Sequence, residues 1–452
     1  MERLVQPIRS LPWSSLQPSR VPAGRLREHV GSRVRLSGFV LAVRDQKRMQ
    51  FVILRDSSGV AQITHGKAPA EDSLSELIST LTPGSAVSIT GFVVDAPAVK
   101  LGRVEVRAEA IEVHGPAATP LPIADDSSHE KLMDWRVLSL RRPDQRLIIE
   151  IQTTLEHAMR AFWRAHGFVE IHSPKLMSAA SESGAEVFNV AYFGRQAYLA
   201  QSPQFYKQMA IAGGLEQVFE IGPAFRAEPS YTTRHETEFT SIDMEVAWIE
   251  SHEDLMRLEE HWLAYVFAEV HREHRKKIRE IFGVELRVPA IPFPRVSVEE
   301  ARAILTSGGH KTSGGGRDLD SDAEQRLAAH VLESRGHDFV FVTNYPAERR
   351  AFYHMRHEDR PDLTKGFDLL WKGIEITTGA QREHRYDRLL GQARERGYAL
   401  EPLQDYLDFF RYGCPPHGGM GIGLARLLML MLQRQNVREV ILLSRTPNRL
   451  TP

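Results

Sequence analysis

The 452-residue chain has a single cysteine, Cys414. That excludes an internal disulfide framework and any metal site built from several thiolates, and it fits a reducing, cytoplasmic setting. No apolar run approaches the roughly 18 residues a membrane-crossing helix needs. The opening MERLVQPIRSLPWSSLQPSR lacks the apolar core of a secretory signal. Residues 1–20 read as a flexible arm, with a weak transit peptide as the other reading. Net charge is nearly absent too, at −1, so the chain as a whole is not a basic nucleic-acid binder. A composition of 42% hydrophobic and 25% charged residues excludes wholesale disorder. The length suggests two or three domains, and no internal repeat is visible.

What charge there is lies unevenly. Residues 1–67 hold 12 Lys and Arg against 4 Asp and Glu. That suits either polyanion contact at one end or a solvated basic surface. From residue 21 to 115 the chain reads as short strands: RVRLSGFVLAV, MQFVILRD, VAQIT, AVSITGFVV and RVEVRAEAIEV, broken by DSSG and TPGS. Five strands in that length fit an OB-type barrel, a common binder of single-stranded nucleic acid. Phe51 and Gln62 fall on adjacent strands. Phe51 can stack on a base or fill the core, and Gln62 can read a base edge.

A Pro-rich hinge is expected at about 116–138. Beyond it, LIIEIQTTLEHAMRAFWRAHGF places Ile149, Thr153, Leu155, Met159, Phe162 and Trp163 at roughly helical spacing, with Gly167 as the stop. A second helix is expected from about Glu253 to Phe282. Residues from about 292 to 346, with SGGHKTSGGGRD inside, read as an insertion between two parts of one site.

The stretch FRAEPSYTTRHETEF (Phe225–Phe239) crowds charges of both signs between two strand-like segments. In the second segment Ile242, Met244, Val246 and Trp248 share one parity, and Phe239, Ser241, Asp243 and Glu245 share the other. In the first, Glu220, Arg226 and Glu228 share parity. FDLLWKGIEITTGAQREH reads as a hairpin turning at Lys372-Gly373. Pairing Trp371 with Ile374 pairs Leu370 with Glu375 and Asp368 with Thr377. Asp368 and Glu375 then lie diagonally on one face, a hard-oxygen pair suited to Mg²⁺ with substrate phosphates. PPHGGMGIGLARLLMLML reads as a glycine-rich loop opening a helix, with Arg426 in the first turn. It lacks the GKS or GKT ending of a P-loop. In AQSPQFYKQMA, Gln204 and Lys207 are neighbours on a helix face.

Together these segments resemble the class II aminoacyl-tRNA synthetases. GFVEIHSPKL, FRAE…TTRHETEF and GMGIGLARL look like that family's motifs 1, 2 and 3. QSPQFYKQ, FDLLWKGIEITTGAQREHR and FRYGCPPHGG are similar to the aspartyl-tRNA synthetases, in the compact archaeal-type form. The resemblance covers the chain from about residue 21 to 452. It implies an α+β fold: a six-stranded antiparallel sheet flanked by helices at 139–452, behind the OB barrel at 21–115. It implies a cytoplasmic homodimer that joins through motif 1, including Pro174. It also implies a ligase that uses ATP and Mg²⁺ to activate aspartate and pass it to the 3′ end of tRNA.

The resemblance also distributes roles. Arg226 grips the α-phosphate and the carboxyl being activated, and Arg426 grips the γ-phosphate; these two carry catalysis. Glu228 contacts adenine, Phe239 stacks on it, and His235 lies near the phosphates. Asp368 and Glu375 hold the metal. Lys207 and Arg382 hold the side-chain carboxylate of aspartate, and Glu182, Gln204 and Asp243 surround its α-amine. Phe51, Gln62 and Glu105 read the anticodon.

Three departures stand out. Motif 3 reads Gly-Leu-Ala-Arg, with Ala425 where the family carries Glu, and a Phe-Pro-Arg-Asp near the C-terminus is replaced by Leu443–Thr446, LSRT. At the barrel position where relatives restricted to tRNA-Asp tend to carry Trp, and those also charging tRNA-Asn often carry His, this chain has Leu41. The wording PSYTTRHETEFTSID leads us to expect both tRNAs as substrates. The other readings are an asparaginyl-tRNA synthetase, a non-catalytic RNA-binding or regulatory paralogue, and a ligase that passes aspartate to another acceptor.

Overall fold

The computed structural model describes residues 20–68, 71–178, 187–229, 232–309 and 319–452. Chain contacts divide between Trp135 and Arg136. The N-terminal arm through residue 19 and Glu182 lie outside the described residues, as does most of SGGHKTSGGGRD.

The first unit is a closed barrel of β1 (Arg33–Asp45), β2 (Met49–Arg55), β3 (Val60–Gly66), β4 (Ala86–Asp95) and β5 (Val104–Gly115), in the order β1-β2-β3-β5-β4. Helix α1 (Ser73–Thr80) joins β3 to β4 and is capped by Asp72, which accepts from the Ser75 N–H. Alternation fills the barrel: Val52 and Leu54 point in, while Met49, Phe51 and Ile53 face out. Gly38 is needed because a Cβ there would stand 2.3 Å from the Arg55 carbonyl oxygen. Leu41 is the extra residue of a β-bulge between Val40 and Ala42, a device that re-aims a side chain.

The second unit is built on an eight-stranded sheet. Its strands are β6 (Val169–Glu170), β7 (Gln217–Phe225), β8 (Glu238–Ala247), β9 (Arg295–Ser297), β10 (Phe339–Thr343), β11 (Gly366–Trp371), β12 (Ile374–Gln381) and β13 (His417–Gly423), ordered β9-β10-β11-β12-β13-β8-β7-β6. The six central strands are antiparallel, and β9 and β6 add a short parallel strand at each edge. The stretch 292–346 thus supplies two strands of the sheet, and its helices α5 (Val298–Ser307) and α6 (Ser321–Arg335) pack on it with Leu370.

On the other face lie α2 (Pro143–Ala165) and α4 (His252–Phe282). Helix α2 buries Leu147, Ile148, Ile151, Leu155, Ala158, Met159, Phe162 and Trp163. The expected stripe is corrected at one position: Thr153 is exposed and its hydroxyl donates to the carbonyl of Ile149, which packs against the core. Gly167 ends the helix at φ +84°. A Ser251/Asp254 capping box starts α4.

Two other expectations are corrected. The glycine run at His417–Gly423 is the central strand β13, not a loop. Cβ atoms on Gly418 and Gly419 would stand 2.7 Å from the Ala380 oxygen and 2.1 Å from the Met244 oxygen, so the flanking strands close in only on glycine. In the hairpin, Asp368 pairs with Thr378 rather than Thr377, because a bulge admits Ile376 between the Leu370–Glu375 and Leu369–Thr377 pairs. The turn is where expected, with Lys372 at φ +51° and Gly373 at φ +76°.

Candidate active site

A cavity of ≈ 470 Å³ opens over β8, β12 and β13, within the size range of small-ligand sites. Its floor exists because β13 carries no side chain at Gly421; a Cβ there would lie 3.0 Å from Asp243 Oδ1. Period-two alternation on β8 does the rest. Ile242 and Met244 enter the core, while Phe239, Ser241 and Asp243 line the cavity. Trp248 leaves the pattern: it lies beyond the strand at φ +61° and is exposed.

At one end stand Arg226, Glu228 and Phe239, with the Arg226 guanidinium 5.3 Å from the Phe239 ring centroid. Arg226 and Glu228 follow the end of β7, and the Arg226 N–H donates to the Thr237 carbonyl at 2.9 Å. The return of this loop is fastened from below. Buried Glu236 accepts from Ser444 Oγ and from the Arg445 N–H, both at 2.8 Å, and the Thr237 N–H donates to the Arg445 carbonyl. The segment Leu443–Thr446 therefore anchors the loop despite its departure from the family wording.

Lining the same cavity as Arg226 is Arg426, in the first turn of α7 (Leu424–Met431). Arg426 Nη1 donates to the Glu375 carbonyl at 3.0 Å, and its Nη2 lies 3.4 Å from His235 Nε2. Burial, and then Arg426, hold His235 below its ordinary pKa, which suits an acceptor. Ala425 packs against the core.

The two hairpin carboxylates differ in setting. Glu375 lines the cavity and accepts from Thr378 Oγ1 at 3.1 Å. Asp368 is buried, and both Nη atoms of Arg350 reach it. Burial and the neighbouring Asp368 push the Glu375 carboxyl up. A divalent cation would relieve that repulsion; Glu375 offers Mg²⁺ a carboxylate on the cavity wall, whereas Asp368 lies outside the cavity lining with both oxygens engaged by Arg350.

A third carboxylate at this end, Glu324 on α6, escaped sequence reading. Arg234 Nη1 is 3.5 Å away, yet burial, with Glu375 and Asp368, pushes Glu324 up to about 8. Locally it reads as an acid in the first turn of a helix, so nothing in its own segment marked it.

The opposite end is a buried charge network. Lys207 Nζ donates to Asp243 Oδ1 at 2.8 Å and lies 3.5 Å from Glu245 Oε2. Arg382 Nε donates to Glu245 Oε1 at 2.8 Å, and its Nη2 donates to Gln204 Oε1 at 3.2 Å. Gln204, Asp243 and Arg382 line the cavity; Lys207 sits beneath it, fully buried, on α3 (Gln204–Ala212). Burial works to raise Glu245, but Arg382 and Lys207 hold it below the ordinary carboxylate range. Alternation placed Glu245 on the polar face; only the structure shows that it joins two cations. His354 and Tyr353 also line this end and carried no sequence signal.

In the separate barrel unit, Phe51, Gln62 and Glu105 share one outer face. Phe51 is outside the core cluster, and Gln62 Nε2 donates to Glu105 Oε2 at 3.3 Å. Among the described residues no helix is long and apolar enough to cross a membrane.

Residues 128–447 match the family described as "tRNA synthetases class II (D, K and N)", and residues 34–113 match "OB-fold nucleic acid binding domain". The aspartate–tRNA(Asp/Asn) ligase of Aeropyrum pernix is 43% identical over 94% of this chain and 96% of its own. The aspartate–tRNA(Asp) ligase of Pyrococcus abyssi is 42% identical over 93% and 97%. Among solved structures, the asparaginyl-tRNA synthetase of Pyrococcus horikoshii with asparaginyl-adenylate superposes with a TM-score of 0.88 at 34% identity, covering 96% of this chain and 100% of that one. The aspartyl-tRNA synthetase of Entamoeba histolytica gives 0.87 at 30% identity, covering 98% and 95%.

Proposed function

The chain belongs to the class II tRNA synthetases of the D, K and N group, and from that premise we propose that it is an aspartate–tRNA ligase serving both tRNA-Asp and tRNA-Asn. The observation that carries this is the division of one cavity into two ends. Arg226, Phe239 and Arg426 suit a nucleotide triphosphate at one end, and the buried Arg382–Glu245–Lys207 network suits a small acidic amino acid at the other.

An aspartate α-carboxylate oxygen attacks the α-phosphorus of ATP, and pyrophosphate leaves. The 3′-terminal ribose oxygen of tRNA then attacks the acyl carbon, and AMP leaves. The protein supplies no nucleophile. It positions the reactants and meets developing charge with preorganised cations.

Arg226 and Arg426 bracket the phosphates, Phe239 stacks on adenine with Glu228 at its edge, and His235 accepts from Arg426. Asp368 and Glu375 would hold Mg²⁺, which would supply charge neutralisation at the phosphates. Asp243 and Gln204, with Glu182, receive the α-amine. Arg382 takes the side-chain carboxylate, backed by Lys207 through Asp243 and Glu245. Asparagine is disfavoured because its neutral amide forgoes the charge-assisted hydrogen bonds that a carboxylate makes with Arg382.

Phe51, Gln62 and Glu105 contact the anticodon. The relatives' names divide between tRNA(Asp/Asn) and tRNA(Asp). Leu41 at its bulge matches neither the Trp nor the His pattern; the wording PSYTTRHETEFTSID supports the relaxed type. The protein works in the cytoplasm as a homodimer joined through Gly167–Leu176.

Two assays test this. Aspartate, and not asparagine, should drive ATP–pyrophosphate exchange, and purified tRNA-Asp and tRNA-Asn transcripts should both accept aspartate. No aspartate on tRNA-Asn rejects the relaxed specificity alone; exchange driven by asparagine rejects the whole reading.

A further inference from the structure

We propose that His354 is a positioning residue for amino-acid specificity, a hydrogen-bond acceptor that fixes Nη1 of the Arg382 guanidinium. The proposal rests on reading the Arg382 end of the cavity as the seat of the substrate side chain.

Backbone register creates the contact. His354 and Arg382 face each other across an isolated antiparallel bridge. The Met355 N–H donates to the Gln381 carbonyl and the Glu383 N–H to the Tyr353 carbonyl, both at 2.9 Å. Residues directly opposite in an antiparallel pair project to the same side. Gln392 Nε2 adds a third tie, donating to the His354 carbonyl at 3.1 Å. Gly366 leaves room for the ring, since a Cβ there would lie 3.1 Å from His354 Nδ1. The result is a ring only 4% exposed that still lines the cavity, with Nε2 3.4 Å from Arg382 Nη1.

The chemistry of the partner matters more than its bulk. A guanidinium is a rigid planar fork of donors. Glu245 holds the Nε side of Arg382 and Gln204 shares Nη2, while His354 meets Nη1. Glu245 already supplies one negative charge to the fork; a second carboxylate at this position would overcompensate it, whereas an imidazole lone pair orients Nη1 without adding negative charge. Burial, then Arg382, Arg350 and Arg396 around the ring, keep His354 well below its ordinary pKa, so it stays an acceptor.

The test is ATP–pyrophosphate exchange titrated with aspartate, asparagine and ATP for wild type, His354→Met and His354→Gln, with thermal melts to check folding. Met matches the ring's bulk without the acceptor; Gln places Oε1 near the position of Nε2. Met should raise the aspartate KM roughly 10- to 100-fold, the worth of one hydrogen bond to a charged group. The ATP KM should stay within about twofold, and the preference for aspartate over asparagine should shrink. Gln should recover most of the loss.

The proposal is overturned if Met leaves the aspartate KM unchanged, if Gln is no better than Met, or if both KM values rise together. Should Met fail to fold, Gln is set against His354→Asn, whose acceptor is too short to reach Nη1; equal KM values for aspartate overturn the proposal. A wild type without aspartate-dependent exchange overturns the functional reading and this inference with it. A wild type with normal exchange and an indifferent Met variant overturns this inference alone.

Discussion

Arg426 on α7 is held by the backbone carbonyl of Glu375 on β12, 3.0 Å from its Nη1. Its Nε is 3.4 Å from a second carbonyl, that of Arg234. The arginine is thus tied to two elements far away in sequence, and the acid that relatives carry beside it is not what fixes it here.

Replacing Ala425 by Glu should therefore change aspartate-dependent exchange by no more than about threefold. Replacing Arg426 by Ala should lower it roughly 10²- to 10³-fold, as for loss of one charge-stabilising donor group. Parallel exchange assays on the two variants check both. A large gain from Glu at position 425 would show that Arg426 is poorly held in the native chain.

Glu259 gives a pH prediction. It is fully buried under the sheet, where Thr377 Oγ1 donates to its Oε1 at 2.5 Å. Burial pushes its carboxyl up to about 8 from an ordinary 4.5. The folded state therefore binds more protons than the unfolded one between those values. Stability from this group is full below the unfolded value and is lost as pH rises towards about 8. Glu259→Gln, neutral throughout, should unfold at a higher temperature than wild type at pH 8, by a margin that shrinks at pH 5. Thermal melts at the two pH values read the difference, and a margin independent of pH would place the titration elsewhere.

Phe51 separates the two units functionally. Phe51→Ala should raise the KM for tRNA in charging by roughly 10- to 100-fold, the worth of one stacked base. Aspartate-dependent exchange should not change, because the cavity lies wholly within residues 136–452. Loss of exchange in this variant would contradict the assignment of the barrel face.

Local pattern made much of the site legible. Period-two alternation on β8 separated Ile242 and Met244 from Ser241 and Asp243, because one face of a strand over a core must be apolar. The Lys372-Gly373 turn located the hairpin and brought Asp368 and Glu375 to one region. It did not reveal the bulge at Ile376, since an inserted residue changes register without changing composition. The glycines of β13 misled for a related reason. Without neighbours they read as a loop, and only the closeness of Met244 and Ala380 explains them as a strand.

The sequence by itself determined the order of elements, the barrel, the motif residues and the charges they carry, because each is written in local spacing and residue type. Tertiary structure alone decided which charges meet. Glu245 with Arg382, Lys207 beneath Asp243, Glu324 beside Arg234, and His354 against Arg382 join residues from 28 to 137 positions apart. Such pairings follow from sheet register and burial, and those emerge only when the whole core closes.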